Sequence, residues 1–195
     1  MPSPGVENDE ITLWALAAKA GDRSAAAAFI RATQHDVHRF VSHLVGAGEA
    51  EDLTQETYLR AMRGLPGFAA RSAAKTWLLA IARRACADHI RMSMRRPRVA
   101  SLPDWQLAAD AELARESTGF EGAVELARLL ADLPRDRREA FVATQVAGLS
   151  YAEAAEVCDC PVGTIRSRVA RAREDLVAAM RSDGTGTGRR LRSTS

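Results

Sequence analysis

Residues 149–173 read LSYAEAAEVCDCPVGTIRSRVARAR and carry the strongest local signal in the chain. Ser150 and Glu153 have the spacing of a capping box, which predicts that a short helix begins here. Pro161 suits the first position of a second helix, because that position needs no backbone N–H donor. Two helices joined by the turn Cys158-Asp159-Cys160 predict a helix-turn-helix, whose second helix enters the major groove of DNA.

The second helix of this motif is basic on its surface. It carries Arg166, Arg168, Arg171 and Arg173, and residues 161–172 contain no acidic side chain. Arginine makes planar, bidentate contacts with phosphate and guanine. The pattern therefore indicates DNA binding, with a solvated basic helix face as the alternative.

The composition of the whole chain predicts an all-α protein. Of the 195 residues, 47% are hydrophobic and 27% charged, which is typical of a globular protein, whereas only 5% are aromatic. Alanine dominates the apolar residues and is the strongest helix former. A β-sandwich or barrel would need aromatic and β-branched strands that this sequence lacks.

Composition and helix breakers divide the chain into two small helical domains joined by an acidic linker. Between residues 99 and 121 there are one basic and five acidic side chains, so the net charge there is 1 − 5 = −4. The expected segments are a disordered tail at 1–9, a first domain at 10–98, the linker at 99–121, a second domain at 122–182 and a flexible basic tail at 183–195.

The first domain contains an acidic stretch, AEDLTQETYLRA, at residues 50–61. Asp52, Gln55 and Glu56 are spaced i, i+3 and i+4, so they share one face of the predicted helix. This face is either an ordinary solvated surface or a docking surface for a basic partner helix.

A small-residue loop, Phe68–Ala74, leads into a helix that carries Lys75, Trp77, Arg83 and Arg84. Basic side chains next to an aromatic suit single-stranded DNA, because phosphates accept the charge and a displaced base needs a pocket or a stacking partner. The alternative for the tryptophan is an ordinary core position.

Other classes of function find little support. The three cysteines, without a secretory signal or a long apolar run, predict a cytoplasmic protein with no membrane segment. His35 and His38 are spaced for one helix face but lack a third ligand, so we expect no metal and no cofactor. No G-x-S-x-G, P-loop or G-x-G-x-x-G motif is present, so we expect no enzymatic activity.

In order and spacing, these motifs resemble the extracytoplasmic function (ECF) sigma factors of bacterial RNA polymerase, within the sigma-70 family and of an actinobacterial-like type. The stretches that carry the resemblance are Asp52–Thr57, Thr76–Arg83, Asp88–Arg91, Leu133–Phe141, Gly148–Ala155 and Pro161–Arg168. The resemblance covers roughly residues 11–182, nearly the whole chain.

The resemblance implies a two-domain initiation factor. Its sigma-two helical bundle would dock on the clamp helices of the largest subunit of core RNA polymerase through Asp52, Gln55 and Glu56. The same domain would help to melt promoter DNA at the minus-ten element and contact it through Phe68, Arg71, Ser72, Lys75, Thr76, Trp77, Arg83 and Arg84. Its sigma-four helix-turn-helix domain would read the minus-thirty-five element through Thr164, Arg166, Ser167, Ala170 and Arg171.

Several further expectations come from the same resemblance. The linker would follow a basic channel of the polymerase, the free protein would be a monomer, and an anti-sigma factor would hold it inactive. One departure concerns Arg84, where the family commonly has asparagine; arginine accepts no hydrogen bonds, so the minus-ten base preference can differ.

The competing hypothesis is a helix-turn-helix transcriptional regulator that does not act as a polymerase subunit. It explains residues 123–181 but leaves the first domain without a role.

Overall fold

In the computed structural model the chain is described over residues 4–95 and 121–187, with side chains for 9–95 and 125–181. All regular secondary structure within these ranges is helical, so the all-α prediction is confirmed. The α-helices are α1 (Pro4–Lys19), α2 (Arg23–Val45), α3 (Ala50–Gly64), α4 (Ala74–Arg95), α5 (Glu121–Asp132), α6 (Arg135–Phe141), α7 (Tyr151–Cys158) and α8 (Val162–Thr187). None of the described helices is both long and apolar enough to cross a membrane.

Helices α1 to α4 form the first bundle, in which α2 is the central element. Asp22 caps the start of α2, because its carboxylate accepts hydrogen bonds from the backbone N–H groups of Ser24 and Ala25 at 2.8 and 3.0 Å. Gly46 ends α2 with a φ of 99°, a conformation that favours glycine. The sequence predicts an apolar stripe at helical spacing along α2, and the structure buries all of it: Phe29, Val37, Phe40, Val41 and Leu44.

Helices α5 to α8 form the second bundle. The sequence predicts one continuous helix from Arg135 to Ala147, but α6 ends at Phe141 and gives way to a π-helix at Val142–Val146. The wider turn appears in the hydrogen bond from the backbone N–H of Ala147 to the carbonyl of Val142, at 2.9 Å. This turn sets the direction of the chain before α7.

Both ends of the described chain are more helical than the sequence predicts. Helix α1 begins at Pro4, inside the segment that the sequence assigns to an N-terminal tail. Helix α8 continues to Thr187, into the segment expected to be a flexible tail. The acidic linker, with Asp104, Asp110, Glu112 and Glu116, lies outside the described residues.

The two bundles pack against each other and share one cluster of buried residues. Helix α4 lies against α7, and α2 lies against the π-helix. Leu78 and Leu79 of α4 are fully buried, as are Leu130 of α5 and Ile165 of α8. The arrangement of the two bundles therefore rests on apolar burial as well as on the polar contacts described below.

The shared core gives a first prediction. Leu78 is 0% exposed and Leu13 on α1 is 65% exposed. We expect Leu78→Ala to lower the free energy of unfolding by about 2–5 kcal/mol, because it removes a buried side chain and leaves a cavity. Leu13→Ala is the matched control and should change it by less than about 0.5 kcal/mol. Urea unfolding followed by circular dichroism tests both, and equal effects would contradict this assignment of the core.

Candidate functional site

The helix-turn-helix forms around the predicted capping box. The Ser150 hydroxyl accepts a hydrogen bond from the backbone N–H of Glu153 at 3.2 Å, and the Glu153 carboxylate accepts one from the Ser150 N–H at 2.9 Å. Asp159 ends α7 in the left-handed conformation, with a φ of 53°. Helix α8 starts directly after Pro161, as the sequence predicts.

The surface of α8 separates its arginines into two groups. Arg166, Ser167, Ala170 and Arg171 are exposed, and Thr164 is half-buried. Within the described part of the chain, neither Arg166 nor Arg171 forms an ion pair. The exposed face of α8 therefore presents two unpaired guanidinium groups to the solvent, those of Arg166 and Arg171.

Arg168 and Arg173 of α8 instead bind residues of their own bundle. Arg168 forms an ion pair with Asp136, with 3.2 Å between Nε and Oδ2. Arg173 donates a hydrogen bond from Nη2 to the side-chain oxygen of Gln145 at 3.0 Å. These contacts fix the position of α8 on the bundle.

The acidic face of α3 is partly pre-organised. Asp52 and Gln55 are exposed, whereas Glu56 forms an ion pair with Arg60, with 2.7 Å between Nε and Oε1. Arg60 also contacts Asp88 of α4, with 2.7 Å between Nη1 and Oδ2. The hydrogen bond from Arg60 is the largest influence on Asp88 and, with a second one from Arg91, holds the pKa of its carboxyl below the ordinary value.

Only part of this network was predictable from the sequence. Glu56 and Arg60 are spaced i and i+4, which is a recognisable signal for a helical ion pair. Asp88 lies 28 residues further along the chain than Arg60, and nothing in the local pattern predicts that the two meet.

The predicted minus-ten residues in the loop before α4 and on α4 differ in their exposure to solvent. Arg71 and Arg84 are exposed, and Ser72 is half-buried. Phe68 and Trp77 instead pack on each other, with ring centroids 4.9 Å apart and a tilt of 42°. Phe68 is 3% exposed, so this aromatic pair supports the base of the loop from within the first bundle.

The remaining predicted minus-ten residues make protein contacts. Thr76 donates a hydrogen bond from its hydroxyl to the Glu153 carboxylate at 3.2 Å, and Arg83 binds Glu139, with 2.6 Å between Nε and Oε2. Both contacts cross from the first bundle to the second. Lys75 forms an ion pair with Asp36 inside the first bundle. The second bundle thus covers part of the surface that the sequence assigns to DNA.

Sequence reasoning missed the acids and the arginine that join the bundles. Glu139 is 5% exposed and also binds Arg135, with 2.8 Å between Oε1 and Nε. Arg138 donates from Nη1 to the backbone carbonyl of Leu44 at 3.2 Å. The segment Leu133–Phe141 was recognised as a family motif, but its local pattern does not show which distant helices these side chains reach.

Two buried cysteines, Cys86 and Cys158, lie near this junction. Burial raises the pKa of the Cys86 and Cys158 thiols to about 12, so both stay protonated and poorly nucleophilic near neutral pH. Within the part of the chain that the structure describes, no three His, Cys, Asp or Glu side chains are grouped to hold a metal ion.

Comparison with known proteins gives matches in both bundles. The family description "Sigma-70 region 2" matches residues 29–96, and "Sigma-70, region 4" matches residues 123–176. The "ECF RNA polymerase sigma factor SigC" of Mycobacterium tuberculosis is 51% identical, covering 94% of this chain and 98% of that protein. The "ECF RNA polymerase sigma-E factor" of Escherichia coli is 35% identical, covering 80% and 86%.

Two solved structures share the fold. The structure of CnrH in complex with the cytosolic domain of CnrY aligns with a TM-score of 0.69 and 26% identity, covering 89% of this chain and 99% of that one. The sigma factor RpoE in complex with the anti-sigma factor NepR, from Bartonella quintana, aligns with a TM-score of 0.64 and 28% identity, covering 79% and 95%.

The Glu153 carboxylate gives a pH-dependent prediction. Burial alone would raise its pKa, but hydrogen bonds from Ser150 and Thr76 hold it below the ordinary value. Its contribution to stability should therefore be complete above the unfolded-state pKa of about 4.3 and disappear as the pH falls through the lower folded-state pKa. We therefore expect the wild type to be more stable than Glu153→Gln. This difference in the free energy of unfolding should be constant from pH 7 to 5 and shrink below about pH 4.

Urea titrations at several pH values measure this difference. Glu156→Gln provides the control, because Glu156 is an exposed acid on the same helix. A difference between wild type and Glu153→Gln that persists unchanged to pH 3 would contradict the proposed linkage.

Proposed function

Since this chain belongs to the ECF sigma factors of the sigma-70 family, which are transcription initiation factors, we propose that it binds core RNA polymerase and promoter DNA through three surfaces. The first is the acidic face of α3, the second is the loop and start of α4, and the third is the exposed face of α8 with Arg166 and Arg171. The match of the first bundle to sigma region 2 favours this function over that of a regulator that is not a polymerase subunit.

The observation that carries the proposal is the division of the arginines on α8. Arg166 and Arg171 are exposed and form no ion pair within the described residues, while Arg168 and Arg173 bind Asp136 and Gln145. An exposed guanidinium at a recognition helix can reach the O6 and N7 acceptors of guanine in the major groove. The exposed face of α8 is therefore our candidate for reading the minus-thirty-five element.

The acidic face of α3 supports docking on a basic helical surface. Asp52 and Gln55 are exposed, and Arg60 holds the carboxylate of Glu56 in a defined orientation. A fixed carboxylate loses little conformational entropy when it meets a partner. We assign this face to the clamp helices of the largest polymerase subunit.

Thr76 and Arg83 on α4 can serve the minus-ten element only after the bundles separate. Thr76 is 1% exposed and Arg83 binds a buried acid of the second bundle, so DNA and the second bundle compete for the same side chains. Arg71 and Arg84 remain exposed in the packed arrangement and can make the first contacts. The roles of Lys75, Ser72, Trp77 and Phe68 at this element remain predictions.

The proposal extends to partners and to location. The CnrH and RpoE structures are complexes, in the second case with an anti-sigma factor, and we expect an anti-sigma factor to bind this chain as well. Action on the polymerase places the protein in the cytoplasm. It needs no cofactor and catalyses no reaction of its own, because the polymerase carries out the chemistry.

Charge reversal at Asp52 tests polymerase docking. We expect Asp52→Arg to weaken binding to core RNA polymerase by about tenfold or more, because like charges face each other across the interface. Glu51→Arg is the matched control, since it makes the same charge change on the adjacent, also exposed, position of α3. Fluorescence anisotropy with labelled protein measures both affinities, and equal affinities for the two variants would refute the assigned face.

Alanine substitutions on α8 test promoter reading. We expect Arg166→Ala and Arg171→Ala each to reduce base discrimination in the minus-thirty-five element by about 1–3 kcal/mol, while core-polymerase binding stays intact. Arg173→Ala should weaken DNA binding evenly across sequences. The measurement is in vitro transcription from promoters mutated one base pair at a time through this element. Retention of the wild-type ranking by both Arg166→Ala and Arg171→Ala would show that another surface reads it.

A further inference from the structure

The loop at residues 69–73, which precedes α4, is fixed at its first end by a side chain of α1. The Lys19 ammonium donates a hydrogen bond to the backbone carbonyl of Phe68, with 2.7 Å between Nζ and O. The two residues are 49 positions apart, so this contact depends on the packing of the bundle. Lys19 is one of only two lysines in a chain of 27 basic residues.

The other end of the loop is fixed by the same helix. The Thr12 hydroxyl of α1 accepts a hydrogen bond from the backbone N–H of Ala74, the first residue of α4, at 3.0 Å. An N–H in the first turn of a helix has no partner within that helix, and here a side chain from another helix supplies one. Thr12 and Lys19 are seven residues apart, which places them on one face of α1.

Between these two attachments the backbone is strained at Ala70, and the first three side chains of the loop are open to solvent. Ala70 has a φ of 49°, a left-handed conformation that costs a residue with a Cβ atom free energy and persists only where its surroundings impose it. Ala69, Ala70 and Arg71 are all exposed. The loop is therefore held in one shape without being covered.

We propose that Lys19 and Thr12 are positioning residues for minus-ten recognition, because they hold the 69–73 loop in the shape that receives a base of the melted strand. This inference rests on the function proposed above for the surface around α4. A recognition loop that is ordered before binding loses little conformational entropy when DNA arrives. Its fixed shape then contributes to the discrimination between bases. Neither residue needs to touch DNA for this role.

The test uses the full chain with core RNA polymerase and two variants that each remove one attachment. Lys19→Met removes the donor to Phe68, and Thr12→Val removes the acceptor for Ala74 at nearly constant shape. Arg23→Met is the control for lost charge, since Arg23 is an exposed cation close to α1 in the sequence. Thermal unfolding confirms that each variant is folded.

Transcription from promoters mutated base by base through the minus-ten element is the first readout, with core-polymerase affinity measured in parallel. We expect Lys19→Met and Thr12→Val each to reduce the preference for the best minus-ten base by about fivefold, the scale of one lost hydrogen bond. Fluorescence of 2-aminopurine in the melted strand should show weaker capture of the displaced base. Lys19→Arg, which keeps a donor, should recover part of the preference.

Salt dependence separates positioning from direct contact. If Lys19 holds the loop, Lys19→Met leaves the slope of DNA affinity against salt concentration unchanged. A uniform loss across all promoters with a smaller slope would overturn the proposal, because it would make Lys19 a phosphate contact. An unchanged ranking of minus-ten bases in both variants would overturn it as well. Absence of promoter-specific transcription with the wild type and with Arg23→Met would instead refute the proposed function itself.

Discussion

The packing of the two bundles depends on the buried carboxylate of Glu139. It is 5% exposed and receives Arg83 from the first bundle and Arg135 from its own helix, at 2.6 and 2.8 Å. A buried charge is tolerated only when it is paired, and removing one partner of such a pair costs about 3–5 kcal/mol. Glu139 therefore binds the surface of α4 whenever the bundles are in contact, and the hydrogen bond from Thr76 to Glu153 adds a second attachment nearby.

This constraint affects the two proposed DNA surfaces unequally. The face of α8 with Arg166 and Arg171 is exposed while the bundles are packed. Arg83 and Thr76, by contrast, form hydrogen bonds with the second bundle. If the proposed minus-ten surface binds promoter DNA through Thr76 and Arg83, the second bundle must first leave these side chains. Any partner that binds the separated bundles more tightly than the packed ones, such as polymerase with open promoter DNA, shifts the population toward separation by that difference in affinity. The free energy of the contacts between the bundles would thus be subtracted from that of DNA binding at the proposed minus-ten surface.

The sequence predicted the features that depend on neighbouring residues. The buried stripe of α2, the capping box at Ser150 and the helix-turn-helix all follow from periodicity and cap chemistry, and the structure contains each of them. The π-helix at Val142–Val146 and the pairing of Arg60 with Asp88 arise from contacts between distant segments. The same holds for Thr12 and Ala74, which lie 62 positions apart. Local pattern contains no information on such pairs, so the candidate site was predicted by its helices but not by its supporting contacts.

Arginine illustrates why composition could not identify the functional residues. Nearly all of the 27 basic side chains are arginine, and the same side chain serves both structure and the proposed recognition. Arg168 follows Arg166 by two positions, about 200° around α8, and this rotation directs it to Asp136 instead of the solvent. Arg84 follows Arg83 by one position, about 100° around α4, and is exposed, whereas Arg83 binds Glu139. The arginines available to DNA are therefore those whose position on the helix carries them away from every acid of the fold, and an acid moved by one turn would change which arginines remain available.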